Sequence, residues 1–175
     1  KGQSVLEAVA YRDMWGRGQD SYLHMMQERL SLMHKLLAPR GSLVVHVDRR
    51  VSSMIRLLLD EIFGGANQVN EIVWCYTGPS SPGMGQFSNK HDTLFWYAKG
   101  QEWTFNVDEV RLPYKETTLR NEGRRTGWTT GNPDHVVKLN PLGKYPEDWW
   151  LLHVVPPASH ERLPFPTQKP ESVLT

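Results

Sequence analysis

The stretch SLVVHVD, Ser42 to Asp48, sets the strongest limit on what this chain can fold into. It is short, β-branched and almost continuously apolar, the pattern of a strand buried on both faces. Such a strand needs helices to cover it, and the flanking residues supply them. Upstream, Asp20 is placed to cap a helix with its carboxylate. Leu23, Met26, Leu30, Met33 and Leu37 follow at steps of three and four, which puts one apolar stripe on one helix face. APRG, Ala38 to Gly41, ends that helix, because proline cannot continue it and glycine permits the turn. Downstream, a second helix is predicted from about Val51 to Phe63, with Val51, Ile55, Leu58 and Ile62 on one side and Gly64 and Gly65 as its stop.

Three more strands follow: NEIVWCY (Asn70 to Tyr76), DTLFWYA (Asp92 to Ala98) and WTFNV (Trp103 to Val107). Helix, strand, helix and then several strands is an α/β arrangement. The first strand, the crossover helix and the second strand are expected to form a parallel pair, with the later strands antiparallel at a sheet edge. The closing PFPTQKPESVLT, Pro164 to Thr175, reads as the start of a proline-led helix.

Several function classes fall away. No apolar run reaches the roughly 20 residues of a membrane span. The N-terminal KGQSVLEAVAYRD lacks the apolar core of a signal peptide. One cysteine, Cys75, excludes an internal disulfide framework and a cysteine-rich zinc site, and it fits a reducing, cytoplasmic setting. There is no G-x-G-x-x-G, P-loop, H-E-x-x-H or G-x-S-x-G. Cys75 lies mid-strand among large apolar residues and reads as a structural thiol. His46 and Asp48, two apart on one strand, share a face. They lack an evident third ligand, so no metal site is predicted and the two read as a hydrogen-bonded pair at a strand end. FGGAN, Phe63 to Asn67, follows a helix and opens a strand, so it is a glycine cap and not a phosphate loop. VPPA, Val155 to Ala158, is an extended loop.

Formal net charge is only +1, but it is unevenly spread. Between Arg111 and Lys144 stand seven basic residues, Arg111, Lys115, Arg120, Arg124, Arg125, Lys138 and Lys144, against three acids, Glu116, Glu122 and Asp134. Glycines, prolines and Trp128 are interspersed. Taken alone, a basic run of this kind is most plainly a solvated surface loop.

Taken in order, DSYLHMMQERLSLMHKLLAPRGSLVVHVD, DEIFGGANQVNEIVWCY, KHDTLFWYAKG, FNVDEVRLPY, GKYPEDWW and ERLPFPTQKPESVL resemble the DNA amino-methyltransferases. The match is to the permuted branch, whose catalytic motif precedes its cofactor motif. These enzymes methylate the exocyclic amine of adenine or cytosine with S-adenosylmethionine. The resemblance implies part of a Rossmann-like methyltransferase sheet with helices on its faces, over residues 1–107. It implies a basic target-recognition insert over 108–160 and a cofactor-pocket helix starting in 161–175. It further implies an interior portion of such an enzyme, without the catalytic Asp/Asn/Ser-Pro-Pro-Tyr/Phe/Trp or the F-x-G-x-G loop. The isolated chain is accordingly expected to be inactive and to bind cofactor weakly.

Residue by residue, the resemblance assigns Thr167, Gln168, Lys169 and Pro170 to the S-adenosylmethionine pocket. It assigns Lys90, His91, Arg111, Lys115, Arg120, Arg124, Arg125, Trp128, Lys138 and Lys144 to double-stranded DNA, the arginines as candidates for guanine edges. Trp149 and Trp150 are expected to anchor the insert, and the Gly78–His91 loop is either close to the target base or an ordinary connection. Asp48, at the carboxyl end of a buried strand, is a candidate neighbour of the flipped base. Adenine-N6 is favoured over cytosine-N4. An exposed SLVVHV edge implies a homodimer or a complementing methyltransferase fragment as partner. The rival reading is a non-catalytic DNA-binding module on the same scaffold.

Overall fold

Four strands form one mixed sheet: β1 (Ser42–Val47), β2 (Gln68–Cys75), β3 (His91–Ala98) and β4 (Trp149–Leu151). This is the arrangement in the computed structural model, which describes residues 19–78, 85–125, 132, 134–163, 165 and 167–173. The strand order is β1-β3-β2-β4. β3 runs antiparallel to both β1 and β2, and β4 runs parallel to β2. The architecture is α/β, as the alternation of elements predicts. The expected β1–β2 neighbour pair is not formed, because β3 lies between them and bonds to each. The stretch 103–107 forms no strand. The closing helix is described only as a single 3-10 turn, Glu171–Val173.

Two helices cover one face. α1 spans Gln19–Leu36, starting a residue before the predicted cap Asp20, whose side chain lies outside the description. Its stripe holds through Tyr22, Leu23, Met26 and the buried Leu30, but Met33 turns out towards solvent. His34 takes that place and packs edge-on against Phe63, ring centres 4.6 Å apart. At the far end Lys99 donates to the carbonyl of Leu37 at 2.6 Å, a cation satisfying an orphan helix acceptor. α2 spans Ser52–Phe63. Val51, Ile55, Leu59 and Phe63 form its buried i, i+4 row, with Leu58 and Ile62 beside it. Gly64, at φ +84°, ends the helix in a conformation that side chains resist.

Successive strand residues alternate between faces. Leu43, Val45 and Val47 of β1, with Phe95 and Tyr97 of β3, therefore meet the helices. The opposite face carries a second cluster of Ile72, Trp74, Leu94 and Val173, flanked by Tyr76, Trp150 and Leu152. Trp149 and Trp150, expected to anchor the insert, instead form β4 against Val73 and Trp74. β1, expected to be covered on both faces, lies at the end of the sheet with Val44 51% exposed. The strand buried on both sides is β3. An apolar run cannot distinguish the two, since edge strands of a well-covered face are also apolar.

The chain divides into two compact units, residues 1–104 with 148–175, and residues 105–147. The second unit is held by two isolated bridges, Leu112 to Lys144 and Arg125 to Val136, and by α3 (Glu116–Leu119). Gly143, at φ +107°, sits where a Cβ would come within 2.4 Å of the Leu112 carbonyl oxygen, so only glycine fits this crossing.

Candidate functional site

The carboxyl ends of β1 and β2 and the start of β3 bring a polar cluster to one end of the sheet. Because β3 is antiparallel to both neighbours, its first residues lie beside their last ones. Asp92, buried at the start of β3, is the centre of this cluster. His46 Nε2 lies 2.9 Å from Asp92 Oδ2. The Tyr76 hydroxyl donates to Asp92 Oδ1 at 3.3 Å. Burial and the Asp92 charge push the Tyr76 hydroxyl above the ordinary tyrosine pKa, so it stays a donor. Trp74, paired with Asp92 across the ladder, lies 5.5 Å from the His46 ring and donates its indole N–H to the Leu152 carbonyl at 2.8 Å.

Into this cluster comes Lys169, far along the chain. Its Nζ lies 4.0 Å from Asp92 Oδ2 and 5.6 Å from the Trp74 ring centre. The neighbours of Lys169 are fixed. Gln168 accepts from the Leu163 amide with Oε1 and donates to the Glu161 carbonyl with Nε2, each at 2.7 Å. Pro170 is buried, and its carbonyl accepts from Val173. Thr167 is exposed. Of the four residues expected at the cofactor pocket, Lys169 thus reaches the cluster, while the Gln168 amide group staples its own loop.

Beside the cluster is a pocket of about 330 Å³ lined by Asp48, Arg49, Arg50, Tyr76, Asn89, His91 and Asp92. The expected His46–Asp48 pair does not form. β1 stops at Val47, so Asp48 leaves the strand and takes Arg50 as its partner, through the backbone amide at 2.8 Å and the guanidinium at 2.9 Å. The hydrogen bond from the Arg50 side chain holds the Asp48 carboxyl below its ordinary pKa. His91 is exposed at the pocket rim, and Lys90 reaches back towards Gly78. Residues 79–84 of the preceding loop lie outside the description. Asp92, His46, Tyr76 and Trp74 were not singled out as a group from sequence. The available signal was the tandem His91-Asp92 at a strand start facing the alternating Trp74-Cys75-Tyr76.

In residues 105–147 the basic side chains fall into two kinds. Arg111 is committed internally: its side chain is 6% exposed, it donates to Asp108 at 2.6 Å and to the Gly143 carbonyl at 3.0 Å, and its guanidinium stacks 4.4 Å from the Tyr145 ring centre. Lys144 pairs with Glu147. Lys115, Arg120, Arg124, Arg125 and Lys138 are exposed. Arg120 meets Glu116 at 3.3 Å, Arg124 donates to Asn121 at 3.0 Å and Arg125 lies 3.9 Å from Asp134, all surface contacts that a phosphate can replace. Trp128 lies outside the described residues.

Among the described residues, no helix is long and apolar enough to cross a membrane. Among the same residues, no three His, Cys, Asp or Glu side chains group as a metal site.

The family model for DNA methylase, of the N6/N4 type, matches residues 11–175. The chain is 29% identical over 166 residues to the type II methyltransferase M.BglII of Bacillus subtilis, covering 90% of this chain and 44% of that protein. It is 26% identical over 155 residues to the type II methyltransferase M.HpaI of Haemophilus parainfluenzae, covering 88% and 43%. It is 26% identical over 161 residues to the type III restriction-modification enzyme EcoP15I Mod subunit of Escherichia coli, covering 82% and 24%. The chain therefore spans less than half the length of these relatives. A match running through every described strand, including the Asp92 and Lys169 segments that the fold brings together, decides the family: this chain belongs to the N6/N4 DNA methylases.

Proposed function

We propose that this protein is an S-adenosylmethionine-dependent DNA methyltransferase of a restriction-modification system, modifying the exocyclic amine of a flipped base, adenine N6 in preference to cytosine N4. The observation that carries this reading is the meeting of Lys169 with Asp92 over Trp74, which joins the TQKP and HDTLF segments at one end of the sheet. The names of the relatives, type II methyltransferases and a restriction-modification Mod subunit, support the class.

The residues fit the donor. Its amino-acid end carries a carboxylate, and the cluster offers a half-exposed ammonium, Lys169, 4.0 Å from Asp92 Oδ2. Lys169 would hold the donor's carboxylate, and Thr167 with Pro170 would frame it. When bound, S-adenosylmethionine supplies an electrophilic methyl group on sulfur. The chain's own contribution is positioning, which lowers a barrier by fixing reactants before they meet. Tyr76, kept protonated beside Asp92, offers a donor at the pocket wall, and Asp48 offers an acceptor for an amine.

The DNA partner is double-stranded. The exposed Lys115, Arg120, Arg124, Arg125 and Lys138 supply phosphate contacts whose strength falls steeply with salt. The target-recognition insert expected over 108–160 would lie mainly in the compact unit 105–147, since Trp149–Leu151 join the sheet, and the sheet is the Rossmann-like part of the catalytic domain. The complete reading frame, expressed in a host without DNA methylation, tests the reading. Nucleoside mass spectrometry of the host DNA should show N6-methyladenine. N4-methylcytosine would move the target base only, and unmodified DNA would overturn the proposal.

A further inference from the structure

We propose that Asp92 is a positioning residue, whose carboxylate orders the Lys169 ammonium for the carboxylate of the methyl donor. The inference rests on the function proposed above and extends it to a residue outside the TQKP segment. The Asp92 side chain is only 12% exposed, and a buried carboxylate persists where several partners satisfy it. His46 of β1 and Tyr76, the residue after β2, do so from either side of β3, one at each carboxylate oxygen. The group is therefore fixed before Lys169 meets it.

Lys169 is held more loosely. At 4.0 Å from Oδ2 its ammonium is beyond hydrogen-bond length, and its side chain is 38% exposed. Charge attraction to Asp92 and to the Trp74 ring localises the tip while its three donors stay available. The backbone on either side is also restrained, by the two amide bonds of Gln168 and by buried Pro170. A free lysine loses much rotamer freedom when it captures an anion, and one already ordered loses less. The Gln168, Pro170 and Asp92 restraints together make Lys169 a preorganised carboxylate receptor.

The test compares S-adenosylmethionine with its decarboxylated analogue, titrated calorimetrically into the complete protein. Asp92→Asn keeps the shape and removes the charge. It should weaken S-adenosylmethionine binding about three- to tenfold, the effect of disordering one long side chain, and leave the decarboxylated analogue unaffected. Lys169→Met should show the same selectivity, and the double variant should lose no more than Lys169→Met alone. His46→Gln, which loosens the carboxylate without removing its charge, should give a smaller loss of the same kind and serves if Asp92→Asn does not fold. Equal weakening of both ligands would reveal a merely structural role and overturn the inference, as would no weakening of either. An unaltered protein that binds neither ligand overturns the function reading itself, and this inference with it.

Discussion

The Tyr97 hydroxyl donates to Asp60 Oδ1 at 2.6 Å, tying the middle of the sheet to α2. Arg56 holds the other Asp60 oxygen at 3.0 Å and reaches Glu71 on β2 at 3.1 Å, so one network spans helix, central strand and neighbour. Burial, then the hydrogen bond to Asp60, raises the Tyr97 pKa above the ordinary value. A raised pKa contributes stability that is whole below the unfolded tyrosine value, about 10, and is lost as pH rises beyond it. Urea unfolding should therefore show stability falling above about pH 10. Tyr97→Phe should lower stability near neutral pH by about 1–2 kcal/mol and flatten that alkaline loss. An unchanged alkaline slope in Tyr97→Phe would assign the loss to other groups.

Neighbouring leucines of α2 give a test of helix phase. Leu59 is fully buried between the sheet and α1, whereas Leu57 is 69% exposed. Leu59→Ala should cost about 2–5 kcal/mol, because the cavity is enclosed on all sides. Leu57→Ala should stay within about 0.5 kcal/mol. Denaturant midpoints with a constant slope would read both, and similar losses would contradict the packing of this face.

Much of this fold was legible because its elements announce themselves by period and punctuation. The extent of α2, its Gly64 stop and the first two residues of its buried row, Val51 and Ile55, followed from the apolar spacing and the glycine pair, but the row continues through Leu59 and Phe63, with the expected Leu58 and Ile62 only partly buried beside it. Strand order was not legible. Nothing in SLVVHVD distinguishes an edge from a centre, and only the long-range pairing of β3 with both β1 and β2 sets it. The site was legible in halves. The TQKP segment was recognisable, but its meeting with Asp92 is tertiary, and the turn of Asp48 towards Arg50 depends on β1 ending one residue earlier than its pattern runs.

Gly143 carries a backbone requirement that no side chain meets. Gly143→Ala forces a Cβ against the Leu112 carbonyl at positive φ and breaks the Leu112–Lys144 bridge that closes residues 105–147. Strain of this kind costs about 1–3 kcal/mol, with the clash in addition. Hydrogen exchange should show faster exchange across 105–147 while the β3 amides keep their protection. Uniform loss across both units would mean that they unfold together.

The basic residues of 105–147 separate into those that hold the unit and those that face outward, and salt dependence distinguishes them. Arg111 is buried in bonds to Asp108 and Gly143 and stacked on Tyr145, so Arg111→Ala should destabilise the unit and lower DNA binding without a characteristic change in salt slope. Arg124 and Arg125 are exposed and, among the described residues, meet surface partners. Arg124→Ala and Arg125→Ala should leave the unfolding midpoint within about 0.5 kcal/mol. Each should reduce the slope of log K against log salt by about 1 if it neutralises a phosphate. Lys115→Ala and Lys138→Ala should behave alike across DNA sequences, because an ammonium on a phosphate reads no base. An arginine that reads a guanine would show instead as lost discrimination at one position of the site. Binding by fluorescence anisotropy at four salt concentrations, on target and scrambled duplexes, measures both quantities, and salt slopes unchanged in all four exposed variants would remove this surface from the DNA interface.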